Sequence, residues 1–134
     1  MRIICVDSDK MSLRRTMRIC RGHPWVTAVT GFTDCTEAMS WIRNNPCDVA
    51  IMETMKPGFN GLKLAADAQK LRPNLAILFV TDEKIYGLDA FELHAVGYVL
   101  KPIKRERLAE KIEYIKGEWM PSRRLVYGRP VANE

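Results

Sequence analysis

The sequence predicts an α/β fold, a doubly wound parallel sheet of five strands with helices on both faces. Two observations predict it. Short apolar runs alternate five times with longer segments of helical period, which is the pattern of repeated βα units. The runs at 49–52 and 75–80 are apolar throughout, as expected of strands covered on both sides.

Each element follows from its residues. Arg2–Val6 reads as the first strand and ends at Asp7. Lys10–Arg21 is a helix with Leu13, Met17 and Cys20 along one face, stopped by Gly22 and Pro24. Trp25–Thr30 is rich in β-branched residues and is expected as the second strand. Thr36–Asn44 is a short helix closed by Asn45-Pro46, and Val49–Met52 is the third strand. Glu53–Asn60 is expected as a loop around Lys56-Pro57-Gly58. Gly61–Leu71 is a helix with Leu64, Ala68 and Leu71 on one side, followed by the turn Arg72-Pro73-Asn74. Leu75–Val80 is the fourth strand, with Thr81 just after it. Lys84–His94 is expected as a helix weakened by Gly87, and Tyr98–Leu100 as the fifth strand, before Lys101-Pro102. Arg105–Glu118 is the last helix, with Leu108, Ile112, Ile115 and Trp119 on its apolar stripe. Right-handed crossovers then leave a doubly wound sheet in the flavodoxin-like order 2-1-3-4-5. Residues 1–120 form one domain, and 121–134, with few apolar residues and no period, read as a tail or linker.

A chain of 134 residues buries enough surface to fold without disulfides or metals. No apolar run approaches the ~20 residues of a membrane span, and the first strand begins too early for a signal peptide, so a cytoplasmic location is expected. Cys5, Cys20, Cys35 and Cys47 form no CxxC pair and are expected as free thiols in or near the core. His23 and His94 are isolated and receive no catalytic role. The net charge of +5 is concentrated late in the chain, where residues 101–134 hold nine Lys/Arg against five Glu. A solvated helix face is the favoured explanation, and direct DNA binding is not expected of this segment.

In such a sheet, functional groups gather beyond the carboxyl ends of the strands. Asp7, Ser8 and Asp9 follow the first strand, Glu53 the third, Thr81 the fourth and Lys101 the fifth. Singly each has a plain explanation; Asp9, for example, caps the first helix. Together they bring carboxylates, a hydroxyl and an ammonium to one edge, which is an electrostatically sensible set. No Gly-rich phosphate loop, Ser–His set or metal cluster points to an enzyme, and no catalytic residue is assigned.

At this point the sequence resembles the receiver domains of two-component response regulators, over about residues 1–118. The resemblance is strongest from Asp48 to Gly61 (DVAIMETMKPGFNG) and from Ala95 to Pro102 (AVGYVLKP). The segment Tyr86–His94, with Ala90-Phe91-Glu92-Leu93, looks like the subfamily that often carries a LytTR-type DNA-binding domain. The resemblance implies that Asp7 belongs to an acidic pair that helps hold Mg²⁺, with Met55 lending a backbone carbonyl. It implies that Thr81 bonds a phosphoryl group and that Lys101 neutralises it, with Pro102 after a cis bond. Tyr98 would be the aromatic switch that turns inward when the site is active.

Two positions depart from that pattern. Ser8 stands where the second acid is expected, and Glu53 where the phosphoaccepting aspartate is expected. Asp9 is offset by one and does not replace the missing acid. The extra methylene of Glu53 moves its carboxylate by ~1.5 Å. Misplacement of ~1 Å costs roughly a hundredfold in rate. With a neutral Ser8 as well, Mg²⁺ binding at Asp7, Glu53 and Met55 is expected to be weak or absent. Either Glu53 reaches Lys101 and Thr81 as a partial phosphoaspartate mimic, or the site has decayed. A pseudo-receiver would work by protein contact, with a partner or a second copy, through the fourth helix, fifth strand and last helix, the exposed side of Lys104–Lys116 contributing. The alternatives are the regulatory domain of a DNA-binding regulator and a receiver still phosphorylated by a histidine kinase or a small phosphodonor.

Overall fold

A computed structural model describes residues 1–120. The expected tail or linker at 121–134, and so the expected domain boundary, lies outside the described residues. The strands are β1 (Arg2–Val6), β2 (Ala28–Phe32), β3 (Val49–Met52), β4 (Met55–Lys56), β5 (Phe59–Asn60), β6 (Ala76–Thr81) and β7 (Gly97–Leu100). The helices are α1 (Lys10–Arg21), α2 (Cys35–Asn44), α3 (Gly61–Leu71), α4 (Gly87–Glu92) and α5 (Arg105–Tyr114), the last continued by a π-helical turn, Ile115–Trp119. Five strands form a parallel sheet in the order β2-β1-β3-β6-β7. Counted among sheet strands alone, this is the predicted order 2-1-3-4-5.

Strand alternation divides the apolar runs between two cores. Ile3, Cys5, Val49, Ile51, Leu78, Val80 and Val99 face α1 and α5. Ile4, Val6, Ala50, Met52, Ile77 and Phe79 face α2, α3 and α4. The unbroken apolar runs are therefore two interleaved sets, each burying its own face.

Several boundaries differ from expectation. The second strand was expected at 25–30 and occupies 28–32. Trp25 is drawn into a turn, its N–H on His23 Nδ1 at 3.2 Å, while Gly31 and Phe32 pair with Cys5 and Val6. The helix expected at 84–94 covers only Gly87–Glu92. No side chain caps it, Ala90 alone is buried, and His94 ends the segment at a φ of 57°. Thr81 is the last residue of β6 rather than the residue after it. Leu71, expected on the apolar side of α3, is largely exposed. The last helix widens into the π turn at Ile115, short of the α-helical end expected at Glu118.

The expected loop at 53–60 contains a small antiparallel hairpin, Met55 opposite Asn60 and Lys56 opposite Phe59, turning at Gly58 with a φ of 73°. The hairpin returns the chain so tightly that Gly61 donates its N–H to the Thr54 carbonyl at 2.6 Å. A Cβ on Gly61 would sit 1.8 Å from the Glu53 carbonyl oxygen and 2.8 Å from that of Thr54. Both are backbone atoms and have no rotamer by which to move away. Gly61→Ala is therefore expected to lower stability by about 3 kcal/mol, read as a shift of the urea midpoint.

Candidate functional site

The carboxyl edge of the sheet brings Asp7, Glu53, Thr81 and Lys101 together. Asp7 extends β1 and Glu53 extends β3, with Glu53 N–H on the Val6 carbonyl at 3.0 Å. Lys101 follows β7, its N–H on the Thr81 carbonyl at 2.8 Å, and its bond to Pro102 is cis, as the resemblance implied.

The Lys101 ammonium lies 2.9 Å from Asp7 Oδ2 and 2.9 Å from Glu53 Oε1. Glu53 is fully buried and Asp7 nearly so. Burial pulls the pKa of Lys101 down, but the two carboxylates outweigh that pull and hold it above the ordinary lysine value. Glu53 Oε1 faces the ammonium alone, at the distance of a charge-assisted contact. Glu53 Oε2 accepts from the Thr54 N–H at 2.8 Å and from its hydroxyl at 3.1 Å.

Thr81 was expected to meet the Glu53 carboxylate. Thr54 instead stands between them, its Oγ1 3.0 Å from Thr81 Oγ1. Thr81 Oγ1 also accepts the N–H of Glu83 at 3.1 Å, a turn typical of threonine. Tyr98 is half-buried with its ring tilted against Phe79 at 6.4 Å, and its hydroxyl donates to the Glu83 carbonyl.

Ser8 and Asp9 do not join the cluster. Ser8 is exposed. Asp9 caps α1, accepting from Met11 N–H at 2.9 Å and Ser12 N–H at 3.3 Å, and its own N–H binds Asp7 Oδ1 at 2.9 Å. Every carboxylate oxygen of Asp7 and Glu53 thus already faces an N–H, a hydroxyl or the ammonium. Met55 is held in the hairpin opposite Asn60. Magnesium requires several free oxygens in near-octahedral array. As arranged these residues do not fit that ion, and no chemistry is routed through it.

Two contributors escaped the sequence reading. Thr54 has a signal in retrospect: alternation carried past β3 places it on the face of Met52, whose partner Phe79 shares a face with Thr81. Lys56 has none. Its ammonium crosses from the hairpin to Asp82 Oδ1 at 2.5 Å, with Glu83 Oε2 at 3.9 Å, tying two loops over the mouth of the site. The thiols stand apart from this chemistry. Contact with Cys20, then burial, pushes the Cys5 thiol well up, and burial pushes Cys47 up to about 11.

Comparison with known proteins bears on the fold and the family. The chain is 24% identical over 119 residues to the transcriptional regulatory protein YpdB of Escherichia coli K12, covering 89% of this chain and 49% of that one. It is 28% identical over 117 residues to the sensory transduction protein LytT of Bacillus anthracis, covering 87% and 47%. The chain thus spans about half the length of these relatives. Its backbone matches the response regulatory domain of MrkE from Klebsiella pneumoniae with a TM-score of 0.82 at 23% identity, over 90% of this chain and 99% of that one. No described helix is long and apolar enough to cross a membrane. The family model for the response regulator receiver domain matches residues 3–113, and this chain belongs to that family as a receiver domain of two-component signalling.

Proposed function

We propose that this receiver domain signals without phosphate, with Glu53 in the place of the phosphoaccepting aspartate and its carboxylate serving in part as the phosphoryl group. The observation that carries the reading is the engagement of both Glu53 oxygens, Oε1 by Lys101 and Oε2 by Thr54, in a fully buried position. Those are the kinds of partner a phosphoryl group would take, an ammonium and a hydroxyl. A carboxylate carries less charge and fewer acceptor sites, so the mimic is partial. Tyr98, its ring against Phe79 and its hydroxyl on the Glu83 carbonyl, supports the same reading, since an inward ring is the placement implied for the signalling state. The exposed Ser8 and the helix-capping Asp9 support weak magnesium binding.

On this reading the domain is a non-enzymatic cytoplasmic module whose output is contact with a partner or a second copy. The contact face is α4, β7 and α5; Ile85 just before α4, and Leu88 and Phe91 on it, are 74%, 70% and 76% exposed. Apolar side chains left out so fully on one short segment favour a docking surface. A histidine kinase would act by binding rather than as phosphodonor. A second reading is favoured by the name of YpdB and by the half-length match to it: the domain regulates an attached DNA-binding half.

Acetyl phosphate with Mg²⁺ is expected to leave no phosphoryl adduct on the unaltered chain by mass spectrometry, whereas a Glu53→Asp, Ser8→Asp chain accepts one. Ready labelling of the unaltered chain would sink the proposal. For contact with a second copy, the unaltered chain is expected to self-associate in sedimentation and Phe91→Glu to stay monomeric. The Lys101 pair has an alkaline limit. A raised lysine pKa gives stability that is complete below the unfolded value of about 10.4 and is lost as pH climbs through the higher folded value. The contribution of the pair, read as the difference in urea midpoint between the unaltered chain and Lys101→Met, is expected to hold from pH 7 to about 10 and shrink above it; the difference is taken because the raised thiols of Cys5, Cys35 and Cys47 lower the midpoint of both chains over the same range.

A further inference from the structure

Glu53 and the switch side chains lie on opposite faces of the sheet. Alternation continued from β1, β3 and β7 puts Asp7, Glu53 and Lys101 on the α1–α5 side, with Cys5, Ile51 and Val99. Thr81 and Tyr98 follow Phe79 onto the α2–α3–α4 side. The carboxylate meets Lys101 directly, while Thr54 stands between it and Thr81.

The hydrogen positions in that chain are fixed by charge. As a carboxylate beside an ammonium, Glu53 only accepts, so the Thr54 hydroxyl spends its single hydrogen on Oε2. Thr54 Oγ1 must then accept from Thr81, and Thr81 accepts the Glu83 N–H. The donors run one way: Glu83 N–H to Thr81, Thr81 to Thr54, Thr54 to Glu53. Both threonines are fully buried, so no water substitutes for a missing link. The residue at the far end is anchored again through its next peptide, because the Glu83 carbonyl takes the Tyr98 hydroxyl. Hydrogen bonds aligned in this way polarise one another.

We infer that Thr54 is a positioning residue that carries the state of Glu53 across the sheet edge to Thr81, Glu83 and Tyr98. The inference rests on the phosphate-independent reading above and names the side chain through which that reading works. In a receiver of this design the residue after the acid is part of the switch. Valine, equal in size, would break the chain, while serine would keep it.

The test compares Glu53→Ala, Thr54→Val, Thr54→Ser and the Glu53→Ala, Thr54→Val pair in the full chain. It reads hydrogen exchange of the Glu83 amide, normalised to the Phe79 amide in β6, together with the Tyr98 ring resonances. Thr54→Val is expected to speed Glu83 exchange about tenfold, the loss of one hydrogen bond. It should also move the Tyr98 resonances as Glu53→Ala does. The pair should go no further than either single change, and Thr54→Ser should match the unaltered chain. If the valine chain does not fold, Thr54→Ala is read in its place. If Glu53→Ala moves Tyr98 and the Thr54 changes do not, the inference fails and the phosphate-independent reading stands. If Glu53→Ala leaves Tyr98 where it was, both fail.

Discussion

The Lys101 ammonium between Asp7 and Glu53 is the interaction on which the rest of the edge depends. Three buried or nearly buried charges share one small volume, and none is tolerable alone. Leaving one member of a buried ion pair without its partner costs about 3–5 kcal/mol. The cluster therefore fixes the relative positions of the ends of β1, β3 and β7. Its net charge of minus one draws in the surrounding donors: the Asp9 amide to Asp7, and the Thr54 amide and hydroxyl to Glu53. The side chains that complete the site are arranged by charge already present in it.

The loop after β3 makes this geometry available. The hairpin and the close approach of Gly61 to the Glu53 and Thr54 carbonyls turn the main chain back at once, so both side chains remain over the sheet edge. Lys56 then reaches from the hairpin to Asp82 and Glu83. The β6–α4 loop is thus held from outside by an exposed ion pair, which contributes little by itself, and from inside by Thr81 and Tyr98. Of these inner bonds, the one to Thr81 is the more shielded, since it is part-buried and its acceptor side chain is fully buried.

Much of this was legible in the residues. Four of the five strand positions, the sheet order, and the convergence of Asp7, Glu53, Thr81 and Lys101 follow from apolar patterning and from the rule that strand ends gather function. The second strand was misplaced because Trp25 and Val26 have strand-like side chains, yet a turn on His23 claims them. The fourth helix was overextended because its periodic residues Ile85, Leu88 and Phe91 point outward, so periodicity there does not report burial. The direct Glu53–Thr81 contact was expected because both sit at strand ends. Strand ends share an edge without sharing a face, and counting parity through 53 and 54 would have identified Thr54.

That parity makes residue counting a functional property of the sheet. Gly97 has no Cβ because one would lie 2.7 Å from Leu78 Cδ1 and 3.3 Å from the Lys111 side chain, so β7 seats on β6 in one alignment. Sliding β7 by a single residue would exchange the faces of Tyr98 and Val99 and turn the tyrosine into the wrong core. A missing side chain, packed against Leu78 and the stem of Lys111, thereby helps set which residue faces the acid. A one-residue insertion or deletion within β7 would take Tyr98 off the face that Phe79 and Thr81 share.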